Sequence, residues 1–246
     1  MSDPALNQPA PWIERLALGV ALVLPSLVTL VYFVWLADRP SGWQQFAYGL
    51  GKLAQFSLPV LFVCVIQRRS LAIGRCALSG LVEGALMGTG ILAAMALFYF
   101  GWFRTGGIPP AALQALRDKM SGLGVASPAR FLALGVFYAL GHSLLEEYYW
   151  RWFVYRQWRA QFSRPIAVAL SAAGFTAHHV LVLGEYFGWR SAQSLFLVMF
   201  FSLAVGIGGV LWAWLYERQG SIYGVWISHL LVDAGIFAVG YDLVLR

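Results

Sequence analysis

Long apolar runs separated by short polar gaps make up most of the chain. A helix that crosses a hydrocarbon core of about 30 Å needs about 20 predominantly apolar residues. Seven runs are long enough, at about 13–36, 43–66, 79–103, 130–153, 165–183, 192–216 and 221–245. They do not alternate polar and apolar residues with a period of two, as the strands of a membrane barrel do. The pattern therefore predicts an all-α, polytopic transmembrane helix bundle with about seven spans, in a range of six to eight.

The longest gap between these runs covers about residues 104–129 and contains a different kind of helix. Pro109 and Pro110 precede it, and proline is favoured where a helix begins. The apolar residues after them share one face and the charged residues lie elsewhere: the first set is Leu113, Leu116, Met120 and Leu123, and the second is Arg117, Asp118 and Lys119. This pattern is typical of an interfacial helix, predicted here near 109–124. It serves either as a surface connector or as a gate for a substrate.

The composition supports a membrane protein. Of the 246 residues, 60% are hydrophobic and 11% are charged, whereas soluble domains have about 45–50% apolar and about 25% charged residues. The chain is basic, with a formal net charge of +6, but its 17 Lys and Arg lie mostly in the gaps between apolar runs. We interpret them as topology signals and contacts with lipid headgroups, not as a nucleic-acid surface. We expect a multi-pass protein of a bacterial inner (plasma) membrane.

The N-terminal residues and the cysteines add little to this picture. The first ten residues contain no Lys or Arg and lead into a long apolar run without a small-residue cleavage site. We therefore expect no removable signal peptide. The two cysteines, Cys64 and Cys76, form neither a disulfide framework nor a paired metal-binding motif.

Ionisable residues occur inside three of the predicted spans, where each costs about 2.5–3.5 kcal/mol on insertion scales. The fourth span holds His142, Glu146, Glu147 and Arg151. Successive helical residues are turned by about 100°, so the two adjacent acids face different directions. Glu147 and Arg151 are one turn apart and suited to an ion pair, while Glu146 shares a face with His142. A single carboxylate in a dry pocket suits a general base, and a salt bridge at a helix end is the alternative.

Histidine is concentrated in the same three spans. All four histidines of the chain lie in the fourth, fifth and seventh spans. In the fifth span, His179 shares a face with Phe175, and the adjacent His178 is turned by about 100°. In the seventh span, His229 and Asp233 share a face, either as a pair that satisfies itself or as part of a site. A carboxylate, several imidazoles and a second carboxylate from separate helices form a hydrolytic constellation.

Three motifs in this region resemble those of the CPBP family of intramembrane proteases, which includes the type II CAAX prenyl endopeptidases and bacteriocin-processing proteins. The family motifs are Glu-Glu-x-x-x-Arg, Phe-x-x-x-His and His-x-x-x-Asn (or Asp), each on a helix and in this order. The chain has them as Glu146-Glu147 to Arg151, Phe175 to His179, and His229 to Asp233. The resemblance covers about residues 130–245. Residues 130–246 are therefore expected to form the catalytic core, and residues 1–129 to hold the N-terminal transmembrane helices and the interfacial helix.

The resemblance implies a glutamate-dependent endopeptidase. Glu146 would activate the water that attacks a peptide carbonyl, while Glu147 and Arg151 would fix the helix and the pocket. His179 would help to hold the water. The implied partners are membrane lipid and a peptide or protein substrate, lipidated or membrane-anchored, and no nucleic acid. Candidate substrates are prenylated CAAX tails, bacteriocin-type precursors and C-terminal sorting segments.

The third motif departs from the commonest family pattern. Many members have asparagine where this chain has Asp233, and with His229 this position would stabilise the oxyanion or orient the scissile carbonyl. A neutral amide donates to an oxyanion, whereas an ionised carboxylate repels it. Asp233 is therefore protonated, or orients His229, or binds a cation. His179, His229 and Asp233 would make a zinc-type ligand set, so zinc or another divalent metal stays open, although asparagine is a poor zinc ligand.

Two other functions stay open at this point. A proton- or metal-coupled transporter would use intramembrane histidine and glutamate as a relay, and would be favoured by inverted repeats or paired helix breaks. Only one glycine-rich break is present, Gly206-Ile207-Gly208-Gly209. A non-catalytic scaffold or immunity factor would keep the motif residues for structure alone, and Glu146→Gln would leave its biological role intact.

Overall fold

The structure, a computed structural model, describes residues 11–122 and 124–245. The expected lack of a signal peptide concerns residues 1–10, which lie outside this range, as do Leu123 of the interfacial helix and Arg246. Within the described residues the chain forms eight helices and no strand. The predicted all-α class is therefore confirmed.

Seven of the eight helices are long and apolar enough to cross a membrane, which confirms a polytopic bundle and a multi-pass integral membrane protein. In chain order the helices are α1 (Trp12–Trp35), α2 (Ser41–Ile66), α3 (Leu78–Thr105), α4 (Pro110–Gly122), α5 (Pro128–Gln161), α6 (Arg164–Phe187), α7 (Ala192–Gln219) and α8 (Ile222–Leu245). The fifth predicted run, about 165–183, extends to 24 residues in α6 and so reaches a full span.

The short helix α4 lies where the interfacial helix was predicted. Met120 is buried and Arg117 and Asp118 are exposed, as the amphipathic pattern requires. Lys119 is not on the solvent side, because its Nζ lies 5.0 Å from the ring centre of Tyr32 and 4.8 Å from that of Phe33. Burial against these rings lowers the pKa of Lys119. Helix α4 therefore packs against the C-terminal end of α1 through Lys119.

Helix α5 is not a regular α-helix. Its turns widen to the π form over Phe137–His142 and Tyr148–Tyr155, and a single α-helical segment, Ser143–Glu147, lies between them. Wide turns of this kind are rare and occur frequently at functional sites. The segment between them carries both adjacent glutamates of the first motif.

Buried aromatic residues fix the rotation of α5 about its own axis. The hydroxyl of Tyr149 donates to the backbone carbonyl of Ala21 on α1, at 2.6 Å. Trp150 packs against Gly174 of α6, where even a Cβ atom would come within 2.8 Å of its indole. With these two neighbouring side chains held by α1 and α6, the motif residues of α5 are directed into the bundle.

Helix α3 packs very closely against α8. A Cβ atom at Gly84 would overlap the backbone of Gly224, and one at Gly88 would lie 2.9 Å from Ser228 Cα. Small residues allow such close contact between membrane helices, where packing and not hydrophobicity drives association. Because α8 carries the third motif, a helix of the N-terminal part helps to position the site. The division into residues 1–129 and 130–246 stays a prediction.

Candidate active site

The first motif forms a buried ion pair. Arg151 Nη1 lies 3.1 Å from Glu147 Oε1, and the two side chains are only 1% and 0% exposed. The guanidinium group also stacks over two rings, 4.6 Å from the centre of Phe175 on α6 and 5.1 Å from that of Trp212 on α7. One arginine of α5 therefore binds its own helix and two neighbours.

Glu147 also joins α5 to α8. Its Oε1 lies 2.7 Å from Nδ1 of His229, a distance typical of a charge-assisted hydrogen bond. An ionised carboxylate only accepts hydrogen bonds, so Nδ1 of His229 carries the proton. The Nε2 atom of the same ring is consequently directed toward the interior of the site.

Glu146 lies among three imidazoles. Its Oε1 is 3.4 Å from His178 Nε2, and its Oε2 is 3.7 Å from His229 Nε2 and 3.9 Å from His142 Nδ1. The residue is only 2% exposed. These distances are longer than those of normal hydrogen bonds. The carboxylate is thus enclosed by polar groups but keeps lone pairs for a further hydrogen-bond donor.

His179 has a defined tautomer. Its Nδ1 lies 2.8 Å from the backbone carbonyl of Phe175, one turn earlier on α6. A carbonyl oxygen only accepts, so Nδ1 is the protonated nitrogen and Nε2 of the neutral ring has a free lone pair. Ligand atoms of Glu146, His178 and His179 all lie within 4.8 Å of one another.

The predicted metal ligands are only partly brought together. Among the described residues, the compact set of three is Glu146, His178 and His179, so His179 is the single predicted ligand in it. The reason is the hydrogen bond to Glu147, which turns His229 Nε2 toward Glu146. Asp233 lies 3.6 Å from that Nε2 through its Oδ1 and is part of the same cluster.

The segment that forms this polar cluster also matches a known protein family. Residues 128–235 match the family model described as type II CAAX prenyl endopeptidase Rce1-like. This segment is therefore similar to the Rce1-like proteins. The matched segment contains all three motifs and every side chain of the polar cluster. A search of curated proteins and a search of solved structures each returned no match.

The match to this family model confirms the resemblance to the CPBP and CAAX proteases and supports an intramembrane endopeptidase of the CAAX type. The six predicted site residues all lie in one cluster of the matched segment: Glu146, Glu147, Arg151, His179, His229 and Asp233. Their individual roles stay predictions at this point.

Two contributors to the candidate site were not assigned from the sequence. The role of His178 was left open, although its place beside His179 in a span of few polar residues was a usable signal. Trp212 of α7 carried no signal at all, yet its indole stacks on the imidazole of His229 with ring centres 4.0 Å apart. Its Nε1 donates to Ser228 Oγ at 3.0 Å, which fixes the indole plane.

Proposed function

We propose that the protein is an intramembrane endopeptidase in which Glu146 is the general base. The observation that carries this proposal is one buried carboxylate on α5 surrounded by imidazoles from α5, α6 and α8 at 3.4–3.9 Å. A base must be within reach of the proton it abstracts and free to accept it. Glu147 is the acid of the pair that is already bound, by Arg151 and His229, so Glu146 is the free one.

In the first step, a water molecule between Glu146 and His179 attacks the carbonyl carbon of the scissile peptide bond. Glu146 takes one proton of this water as the new carbon–oxygen bond forms. His179 orients the water by accepting its second hydrogen at Nε2, the nitrogen left free by the bond to Phe175. The electron pair of the carbonyl moves to its oxygen and leaves an oxyanion. Glu146 then returns the proton to the leaving nitrogen as the carbon–nitrogen bond breaks.

His229 is the candidate for stabilising the oxyanion. Carboxylates lie on both sides of its ring, with Glu147 2.7 Å from Nδ1 and Asp233 3.6 Å from Nε2. Two flanking acids stabilise an imidazolium, whose Nε2–H would then donate to the oxyanion in a site of low dielectric. Stacking on Trp212 holds the ring in this direction. In this arrangement Asp233 acts on His229 and does not itself contact the oxyanion.

Zinc or another divalent metal is a second interpretation of the same cluster. The set formed by Glu146, His178 and His179 has the two-histidine, one-carboxylate composition of catalytic zinc sites, and the free Nε2 of His179 fits a ligand atom. Among the described residues, the buried Nδ1 of His178 has no hydrogen-bond partner. No bond at Nδ1 therefore holds the ring in place, and its Nε2 is not fixed toward Glu146. A bound metal would activate water as a Lewis acid, and Glu146 would then be a ligand and not the base.

The substrate class follows from the family and the membrane setting. We propose a peptide or protein segment that is prenylated or otherwise membrane-anchored, cleaved in a bacterial inner membrane. The matched family is described as one of CAAX prenyl endopeptidases. Bacteriocin-type precursors and C-terminal sorting segments are the substrates for hosts without protein prenylation.

Terminomics of host membranes tests the proposal directly. Membranes that carry the wild type are compared with membranes that carry Glu146→Gln at matched expression, and Glu185→Gln serves as control because this exposed acid of α6 lies outside the polar cluster. We expect new protein termini with the wild type and the control but not with Glu146→Gln. Identical termini in all three samples, under conditions where the gene has a phenotype, would contradict a protease and favour the scaffold interpretation.

A further inference from the structure

A polar cavity lies at the end of the bundle where α3 and α8 begin and α7 ends. Its volume is about 330 Å³, which is within the range of pockets that hold small ligands. The charged residues of its lining are Arg75, Glu83 and Arg218. None of its lining residues belongs to the polar cluster around Glu146, and no step of the proposed mechanism uses it.

The loop between α2 and α3 brings Arg75 to this cavity. The carbonyl oxygen of Ala72 accepts hydrogen bonds from two side chains of α5, Trp152 Nε1 at 2.9 Å and Arg156 Nη1 at 3.0 Å. A Cβ atom at Gly74 would overlap a backbone carbonyl of the turn between α7 and α8, so the loop lies directly against that turn. The backbone beside Arg75 is therefore held in place by α5, α7 and α8.

The two arginines of the cavity differ in their partners. Arg218 forms a bidentate pair with Glu83, in which Nε and Nη2 donate to the two carboxylate oxygens at 3.1 Å each. This pair cancels one positive and one negative charge. Arg75 forms no ion pair with any residue that the structure describes. Two cations and one anion thus leave the cavity with one uncompensated positive charge, and Arg75 carries it.

The starts of α3 and α8 add to this positive charge. Four residues at these two helix starts line the cavity: Ser79, Gly80, Ser221 and Tyr223. The first backbone N–H groups of a helix have no partner within the helix, and the helix dipole is positive at this end. Neither helix has an acidic residue in its first turn, and the residue before α3 is Ala77, whose side chain cannot cap it. The cavity is therefore suited to an anion.

We propose that this cavity binds the phosphate group of an anionic membrane phospholipid. Basic pockets between transmembrane helices bind the headgroups of such lipids. Three spans begin or end at the cavity, which places it at the level of the headgroups and not in the hydrocarbon core. A phosphate with a single negative charge matches the one uncompensated charge of Arg75.

Apolar surfaces beside the cavity favour a lipid over a soluble phosphate. Leu78, Val82 and Leu86 follow one another along one face of α3, and each is at least half exposed. On α7, the ring centre of Trp214 lies 5.8 Å from the guanidinium group of Arg218, and tryptophan is enriched where headgroups meet acyl chains. The acyl chains of a bound lipid would lie along these surfaces, whereas a soluble phosphate would not use them.

The test measures lipid binding to the purified protein in a mild detergent. Phosphatidylglycerol, phosphatidylcholine and inorganic phosphate are titrated separately, and native mass spectrometry gives the number bound and the Kd. The variants are Arg75→Gln and Arg69→Gln. Arg69 is an exposed arginine of the same loop that does not line the cavity, so its substitution is a control with the same change of charge. The unfolding temperature without lipid shows that each variant is folded.

We expect the wild type to bind one phosphatidylglycerol with a Kd about tenfold lower than that of phosphatidylcholine, whose choline cation would lie beside Arg75 and the helix starts. Arg75→Gln should raise the Kd of phosphatidylglycerol about tenfold, because a hydrogen bond to a charged group corresponds to about this factor. Arg69→Gln should leave that Kd unchanged. Inorganic phosphate should not bind in the same concentration range.

The contrary outcomes each overturn the proposal. Equal Kd values for the two lipids in the wild type exclude a site for an anionic headgroup, and this comparison needs no variant. An unchanged Kd in Arg75→Gln removes the cavity as the binding site. Equal weakening by Arg69→Gln assigns the effect to the overall surface charge. Inorganic phosphate that binds as tightly as phosphatidylglycerol makes the cavity a site for a soluble anion. None of these measurements depends on peptidase activity.

Discussion

Replacing Arg151 with methionine removes the one arginine of the site and leaves the carboxylate of Glu147 buried. Both side chains are almost fully buried and 3.1 Å apart, so water has no access to the stranded charge. Breaking a buried ion pair by removing one partner costs about 3–5 kcal/mol. Loss of the cation–π contacts with Phe175 and Trp212 acts in the same direction. We therefore expect Arg151→Met to lower the free energy of unfolding by about 3–5 kcal/mol.

A second substitution distinguishes the cost of the unpaired Glu147 carboxylate from the cost of the packing contacts that are lost with Arg151. In the double variant Glu147→Met/Arg151→Met no carboxylate is left behind, and apolar replacements of whole buried pairs are often neutral. His229 would still lose the acceptor for its Nδ1–H, 2.7 Å away in the wild type, at a cost of about 1–3 kcal/mol. The double variant should therefore be more stable than Arg151→Met alone, although less stable than the wild type.

Both variants are measured by unfolding in mixed micelles of a mild detergent and SDS, with tryptophan fluorescence as the signal. The ion pair of Arg159 and Glu217 offers a matched control, because these side chains are 42% and 29% exposed, respectively, and surface pairs contribute about 0–1 kcal/mol. Arg159→Met should thus change stability little. A loss below about 1 kcal/mol for Arg151→Met, or a double variant no more stable than the single one, would refute this reasoning.

Three further predictions address the chemistry and the helix packing. Glu146→Gln should slow peptide hydrolysis by about 10²–10⁴-fold without lowering the unfolding temperature, and a variant that retains full activity would remove Glu146 as the base. A chelator such as 1,10-phenanthroline should leave hydrolysis unchanged, and the purified protein should lack stoichiometric zinc by elemental analysis; inactivation that zinc restores would favour the metal interpretation. Gly84→Leu should destabilise the protein by about 1–3 kcal/mol or more, because a side chain there overlaps Gly224, whereas Gly90→Leu on the same helix meets nothing within 4 Å. Equal stability of these two glycine variants would contradict the close contact of α3 and α8.

Contacts between side chains one turn apart on the same helix were predictable from the sequence. The spacing of Glu147 and Arg151 indicated an ion pair, and that pair is present at 3.1 Å. The spacing of His142 and Glu146 placed them on one face, where they lie 3.9 Å apart. Such relations depend only on the repeat of the α-helix. The span count was equally accessible, because it depends on length and hydropathy alone.

Contacts between side chains of different helices could not be predicted from residue spacing. The closest contact of the cluster joins Glu147 to His229, 82 residues apart, and it depends on the rotation of α5 and α8 about their axes. Tyr149 and Trp150 fix the rotation of α5 through contacts with α1 and α6. No periodicity in the sequence encodes these contacts. The wide turns on either side of Ser143–Glu147 also change the directions in which the side chains of α5 point, compared with a regular α-helix.

The two adjacent glutamates have different surroundings because they are adjacent. A turn of about 100° between them means that one α-helical segment cannot direct both carboxylates to the same place. Glu147 contacts Arg151 and His229 through its Oε1 and so holds α5 against α8. Glu146 is left facing the imidazoles at distances too long for firm hydrogen bonds. The proposed mechanism depends on this difference, because a general base must be free to accept a proton while its neighbour keeps the helix in place.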